Sequence, residues 1–191
     1  MSVTNVSEAS MLAKIKFKPL SDEEILDLCD NKARLVTHDE IPKFKNINHL
    51  LGPNKAVIIL YVTKSDKDGS VFGHWCCCFK AGWQSNTICF FDPYGKPPDN
   101  ALQYIEKDTL PKYPDYPYLT EMLRGSGYDV VYNSTPLQNK DPKDNICGRL
   151  TGLRLLARDV DGIEFARFLN QFKPYNFDGD DLATYLTSFL R

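Results

Sequence analysis

The stretch AVIILYVT at 56–63 is the strongest constraint on what this chain can fold into. It carries no charge and is β-branched or aromatic at most positions, the make-up of a strand buried on both faces. It is also far shorter than the roughly 20 apolar residues a membrane helix needs. Such a strand requires neighbours, and the following residues supply them. DKDGS at 66–70 marks a turn, Val71 to Phe79 a second strand, Gly82 another turn, and Thr87 to Phe91 a third strand. Connections this short exclude parallel crossovers, so the spacing predicts an antiparallel meander.

Helices are expected on either side of the meander. Ser21 and Glu24 form a capping box ahead of Ile25, Leu26 and Leu28. Pro93, Gly95, Pro97 and Pro98 end the meander, and a short helix is expected around Asn100 to Lys107. KYPDYPY at 112–118 reads as a loop, followed by a helix from Tyr118 to Arg124 and a fourth strand from Tyr128 to Tyr132. A polar loop from Asn133 to Asn145 then opens a helix at Ile146 or Cys147, with Leu150, Leu153, Leu156 and Ala157 at helical spacing. Two more helices are expected near Ile163 to Phe172 and Asp181 to Leu190. The fold class is therefore α+β, with a central, mostly antiparallel sheet packed on the helix that begins at Cys147.

A chain of 191 residues is enough for one domain, placed here at residues 21–191. Residues 1–20 read as an arm, in which Lys14, Lys16 and Lys18 alternate with Ile15 and Phe17 as an edge strand or a flexible segment. The 23 Lys and Arg nearly cancel the 25 Asp and Glu, so a strongly basic nucleic-acid binder is not expected. Met1 to Ser10 lacks the order of a secretory signal, and no membrane association is expected. The protein is expected in the cytosol, where its six cysteines stay reduced. Three of them, Cys76 to Cys78, are consecutive and ill suited to wrapping one metal ion, so no metal is expected.

Cys147 differs from the other cysteines. It opens a helix and precedes Gly148, and the unpaired N–H groups of a helix start favour thiolate over thiol. A nucleophilic thiolate needs a base and a group to orient that base. His74 on the second strand and Asp92 at the end of the third can meet across adjacent strands. Gln138 and the Cys147 N–H are candidate donors to a developing oxyanion. Cys29, Cys76, Cys77, Cys78 and Cys89 read as small buried hydrophobes, with Cys76 and Cys78 on the His74 face under the Cys147 helix. His38 and His49 read as surface residues, and Arg149, Arg154, Arg158 and Arg167 as solvated helix faces.

GHW at 73–75, FFDPYG at 90–95, Gln138 and ICG at 146–148 occur in that order. The pattern, over roughly residues 56–160, resembles the cysteine proteases that join the adenovirus maturation protease, adenain, to the SUMO-deconjugating enzymes. The resemblance implies a papain-like core with its catalytic elements in permuted order. It assigns His74 as general base, Asp92 as its orienter, Gln138 as oxyanion donor, Cys147 as nucleophile and Trp75 as a substrate-binding residue. Gln138 and Cys147 are nine positions apart, longer than the family's usual loop, so Asn139 and Asn145 stand as alternative donors. The compact chain and its FDPYG segment favour a viral maturation protease. It would be a monomer in the host cytosol or nucleus and in the virion, cleaving capsid or core precursors near Gly or another small residue. It needs no cofactor, and nucleic acid enters only as an activator by analogy. The rival readings are a deconjugase of SUMO, ubiquitin or a related modifier, a catalytically silent binding module, and an acyltransferase.

Overall fold

The computed structural model describes residues 14–139, 145–171 and 178–189. Five strands form one mixed sheet in chain order: β1 (Arg34–Thr37), β2 (Ala56–Ser65), β3 (Val71–Lys80), β4 (Thr87–Phe91) and β5 (Asp129–Tyr132). The β2–β3–β4 meander is antiparallel, as its short turns require. β1 lies parallel to β2, and β5 parallel to β4, so the sheet is evenly mixed rather than mostly antiparallel. Both outer strands are reached through long connections that carry helical segments, which is what a parallel pairing demands. β1, with only the four residues RLVT, is too short to register as an apolar period.

Among the described residues the sheet is accompanied by the helices α1 (Asp22–Leu28), α2 (Ile47–Leu51), α3 (Tyr118–Arg124), α4 (Cys147–Leu156), α5 (Gly162–Asn170) and α6 (Gly179–Phe189). α1 begins with the expected capping box: Ser21 Oγ accepts from the Glu24 N–H at 3.2 Å, and Glu24 Oε2 accepts from the Ser21 N–H at 2.9 Å. The helix expected at 100–107 is a short 3₁₀ stretch, Asn100–Tyr104, and a second one, His38–Lys43, follows β1.

Alternation along β2 sends Ile58, Leu60 and Val62 to one face of the sheet and Val57, Ile59 and Tyr61 to the other, all buried. The first face, with Trp75, Cys77 and Phe79, is covered by Ile25 of α1, Leu150 and Leu153 of α4, Phe165 of α5 and Leu182 of α6. The second, with Cys76, Cys78 and Phe90, is covered by Leu50 and Leu51 of α2 and by Leu119 and Leu123 of α3. α4 therefore crosses the Trp75–Cys77 side of β3, where the Thr151 hydroxyl donates to the Trp75 carbonyl at 3.1 Å. Cys76 and Cys78 share the His74 face but lie under α2 and α3, not under the Cys147 helix.

Several polar residues depart from their surface reading. His38 is buried, its Nδ1 accepting from the Val62 N–H at 3.2 Å and its Nε2 facing the Pro114 carbonyl at 3.1 Å. Arg154 is also buried, donating to the Ala157 and Val160 carbonyls at 2.6 and 2.9 Å and stacked near Phe79, Trp83 and Phe165. Arg149 is buried against Thr187 Oγ1 at 2.8 Å. A guanidinium tolerates burial when carbonyls accept from it and rings cover its faces, a combination no single helix pattern reveals. His49 and Arg167 are exposed, as expected, and Arg158 is half-buried with a bond to the Asn54 carbonyl.

Of the arm, residues 1–13 lie outside the described residues. Residues 14–17 are helical rather than an edge strand, and they are tethered to the domain. Asn145 bonds the Lys16 and Phe17 carbonyls at 3.2 and 2.9 Å, and Lys16 pairs with Asp181 at 3.3 Å. Among the described residues no helix is long and apolar enough to cross a membrane.

The residue before His74 is held by close backbone approach. A Cβ on Gly73 would collide with the Tyr61 carbonyl oxygen, beside the shift in pairing register between Val62 and Lys64. Main chain cannot swing away as a side chain can. Gly73→Ala is therefore expected to destabilise the fold by about 3 kcal/mol, the upper end for overpacking. Urea unfolding measures this, and an unchanged midpoint would contradict the close approach.

Candidate active site

Beyond β4 the chain turns sharply at Asp92. The Gly95 N–H donates to the Asp92 carbonyl at 2.8 Å, and the Tyr94 N–H donates to Asp92 Oδ1 at 2.7 Å. Gly95 has φ +68°, and a Cβ there would strike the backbone of Thr135 and Pro136, so glycine is required twice over. The segment after β5 lies against this turn, with the Leu137 and Gln138 N–H groups donating to the Pro93 carbonyl at 2.9 and 3.0 Å.

The turn delivers Asp92 to His74. Nε2 of His74 lies 2.8 Å from Asp92 Oδ1, with the two side chains only 13% and 4% exposed. With Nε2 committed to the carboxylate, Nδ1 is left for another partner. Cys147, the first residue of α4, and Cys76 both lie close enough to the imidazole to interact with it. The Tyr94 ring stacks on His74 at 4.9 Å and 25°. Its hydroxyl accepts from Nε2 of the buried Gln138 at 3.1 Å.

Burial by itself would raise the Cys147 thiol above its usual range. The His74 imidazole and the backbone N–H groups of Trp75 and Gly148 outweigh burial and bring it below that range. For His74, burial favours the neutral ring, yet its acidic neighbours Cys76, Asp92 and Cys147 together raise it well above the ordinary imidazole value. Cys76 is itself pushed up to about 12 by burial and by nearby Asp92, so near neutrality it is an uncharged thiol. The partners that favour imidazolium there are Asp92 and the Cys147 thiolate. An imidazole so placed can hold a thiolate–imidazolium pair and pass its proton onward.

A nitrogen of His74, the Cys76 sulfur and an Asp92 oxygen lie within 4.8 Å of one another, the one donor group among the described residues close enough for a metal ion. Loading it would displace the His74–Asp92 hydrogen bond and require a thiol held at about 12 to ionise. The geometry is better suited to moving protons.

His74, Asp92 and Cys147 are thus brought together. Gln138 reaches the same site through Tyr94. Trp75 packs into the core on the opposite side of β3 and lines an open cavity of about 480 Å³ with Leu20, Asp22, Glu23, Val71 and Gly73. Of the alternative donors, Asn139 gives its amide to Asp178 at 2.8 Å and Asn145 to the Phe17 carbonyl. Two contributors escaped the sequence reading. Tyr94 sits inside the FDPYG segment, where its ring has no local signal of purpose. Asn133 follows directly on a strand and reads as loop, yet its amide Oδ1 accepts from the Asp92 N–H at 3.0 Å and its Nδ2 donates to the Asp92 carbonyl at 2.6 Å.

No family profile matches the chain. An uncharacterized protein of Sputnik virophage, V9, is 35% identical over 172 residues, covering 88% of this chain and 93% of its own length. The chain belongs to the family of that virophage protein. Among solved structures, the central domain of the uncharacterized Lpg1148 protein from Legionella pneumophila is similar at 16% identity, with a TM-score of 0.42, over 91% of this chain and 98% of that one.

In this virophage-family chain the cysteines divide by environment. Burial raises Cys29, Cys77 and Cys78 and pushes Cys89 up to about 11, whereas Cys147 is lowered and half-buried. Limiting iodoacetamide on the native protein near pH 7 is expected to label Cys147 ahead of the other five. Peptide mass spectrometry reads the order, and equal labelling of Cys29 or Cys89 would contradict it.

Proposed function

We propose that the protein is a cysteine endopeptidase, a viral protease that cleaves capsid or core precursor proteins beside Gly or another small residue. The observation that carries this reading is the buried 2.8 Å His74–Asp92 hydrogen bond, beside a Cys147 thiol that the same imidazole holds below its usual range. A buried carboxylate that fixes one ring nitrogen of a histidine, with a thiol at a helix start interacting with that histidine, is the arrangement acyl transfer needs. The order of GHW, FFDPYG, Gln138 and ICG, similar to that of adenain and its relatives, supports the same reading. So does a Cys-bearing helix laid across a sheet that supplies the His, which fits a papain-like core in permuted order. The virophage relative suits a virion or host-cell setting.

In this mechanism the Cys147 thiolate attacks the scissile carbonyl carbon. The resulting oxyanion is held by the Cys147 N–H and the Gln138 side-chain amide, which must turn from the Tyr94 hydroxyl toward it. The His74 imidazolium gives its proton to the departing amine, the C–N bond breaks, and a thioester remains on Cys147. His74, now neutral, takes a proton from water, and the hydroxide attacks the thioester. The acid is released and the thiolate–imidazolium pair is restored. Asp92 keeps Nε2–H directed at its carboxylate throughout and stabilises the imidazolium. Trp75 contributes to substrate binding through the cavity it lines.

The pH dependence follows from the two shifts. As pH falls through the lowered Cys147 value the thiolate is protonated and lost, and as pH rises through the raised His74 value the proton for the leaving amine is lost. Activity is expected to be bell-shaped between them. His74→Ala should move Cys147 alkylation toward the about 8.5 of a free thiol and lower cleavage by about 10²–10⁴-fold. The deciding experiment incubates the protein with virophage structural precursors and, separately, with ubiquitin-like modifiers bearing a C-terminal electrophile. Precursor cleavage abolished by Cys147→Ala supports the endopeptidase. Modifier capture at Cys147 without precursor cleavage moves the substrate class to isopeptides. Cleavage that survives Cys147→Ala overturns the mechanism.

A further inference from the structure

The geometry points to Asn133 as a positioning residue of this site, whose side-chain amide clamps the main chain of Asp92 and thereby holds the carboxylate on His74. The inference rests on the thiolate–imidazolium reading above and concerns how that pair is kept aligned.

Main-chain pairing between β4 and β5 runs to Phe90 opposite Tyr132. One residue further along each strand lie Phe91 and Asn133, and the ladder stops. The Asn133 side chain then does for Asp92 what a neighbouring strand would do. Its Oδ1 accepts from the Asp92 N–H at 3.0 Å, and its Nδ2 donates to the Asp92 carbonyl at 2.6 Å. A carboxamide carries the same donor and acceptor as a peptide unit, so it can satisfy both backbone groups at once. Nδ2 also reaches the Thr135 carbonyl at 3.3 Å, which ties the clamp to the segment that runs on to Gln138.

The Gly95 N–H also holds the Asp92 carbonyl from within the turn, but β5 itself supplies little else to fix Asp92. Every residue of β5 is exposed, including Val130 at 38% and Tyr132 at 46%, so apolar burial does little to press this edge against the turn. His74 Nε2 and the Tyr94 N–H converge on the same oxygen, Asp92 Oδ1. Both bonds are directional, and a small rotation of the Asp92 main chain spoils them together. A loosened carboxylate no longer stabilises imidazolium, and the Cys147 thiolate then loses its counter-charge.

The test measures the rate of Cys147 alkylation by iodoacetamide against pH in the full chain, for the wild type, Asn133→Ala, Asp92→Ala and the double variant. Asn133→Ala is expected to slow labelling by about tenfold on the acid limb, the equivalent of one pKa unit, and to converge with the wild type above pH ~9.5 where the thiol is ionised in both. General loosening of the fold would instead speed labelling at every pH. Because Asn133 acts through Asp92, it should add nothing further in the Asp92→Ala background. An acid limb unchanged by Asn133→Ala, or an equal loss with and without Asp92, overturns the inference while leaving the thiolate reading in place. A wild type that shows no acid-shifted limb overturns both. If Asn133→Ala does not fold, hydrogen exchange on the unaltered protein decides. The Asp92 amide should be protected like that of a paired strand residue, and exchange as fast as an exposed loop amide overturns the clamp.

Discussion

Burial of β2 on both faces is the constraint from which the rest of this structure follows. Residues 56–62 are all buried. Leaving Ile58, Leu60 and Val62 in water would forfeit about 1.5–3 kcal/mol each, a loss comparable to the entire stability of a typical domain, about 5–15 kcal/mol. Both faces of the sheet must therefore be covered. α1, α4, α5 and α6 take one face and α2 and α3 the other. Within that arrangement Thr151 anchors α4 to the Trp75 carbonyl, and this brings the start of α4 to the part of β3 that carries His74.

The site is built where regular structure runs out. β4 ends at Phe91, β5 at Tyr132, and α4 begins at Cys147, so Asp92, Asn133 and Cys147 lie at or just past the end of an element, while His74 stands within β3. Such positions leave backbone donors free, and here they are put to use. The Tyr94 N–H helps hold Asp92, and the Trp75 and Gly148 N–H groups favour the Cys147 thiolate. The same residues reinforce one another: Tyr94 touches His74 with its ring, Asp92 with its N–H and Gln138 with its hydroxyl. The environment also separates one cysteine from five. Cys76 is two residues from His74 on the same strand face, yet burial keeps it a thiol, while Cys147 at the helix start is shifted the other way.

Much of this was legible in the residues. The meander, the α1 capping box, the helix at Tyr118 to Arg124 and the helix opening at Cys147 each rest on local chemistry, and local chemistry is written in consecutive positions. The meeting of His74 and Asp92 was also readable, because strands joined by short turns place their ends near one another. Other features were hidden for physical reasons. β1 is too short to show a period, and its parallel pairing depends on a long connection. Arg154 looks like a solvent-facing charge until Phe79 of β3, Trp83 of the turn after it and Phe165 of α5 cover it. His38 looks like loop until Val62 and Pro114 supply the partners for its two nitrogens.

By itself the sequence determined the class of fold, the buried meander at its centre and the pairing of His74 with Asp92 beside it, since these follow from apolar runs and turn residues. Only the tertiary structure decided which face of β3 carries α4, that the outer strands run parallel, and that Tyr94 and Asn133 brace the site. Those outcomes depend on how distant segments pack, and a hydrogen bond such as that between Asn133 and Asp92, 41 residues apart, has no signature until both ends are in place.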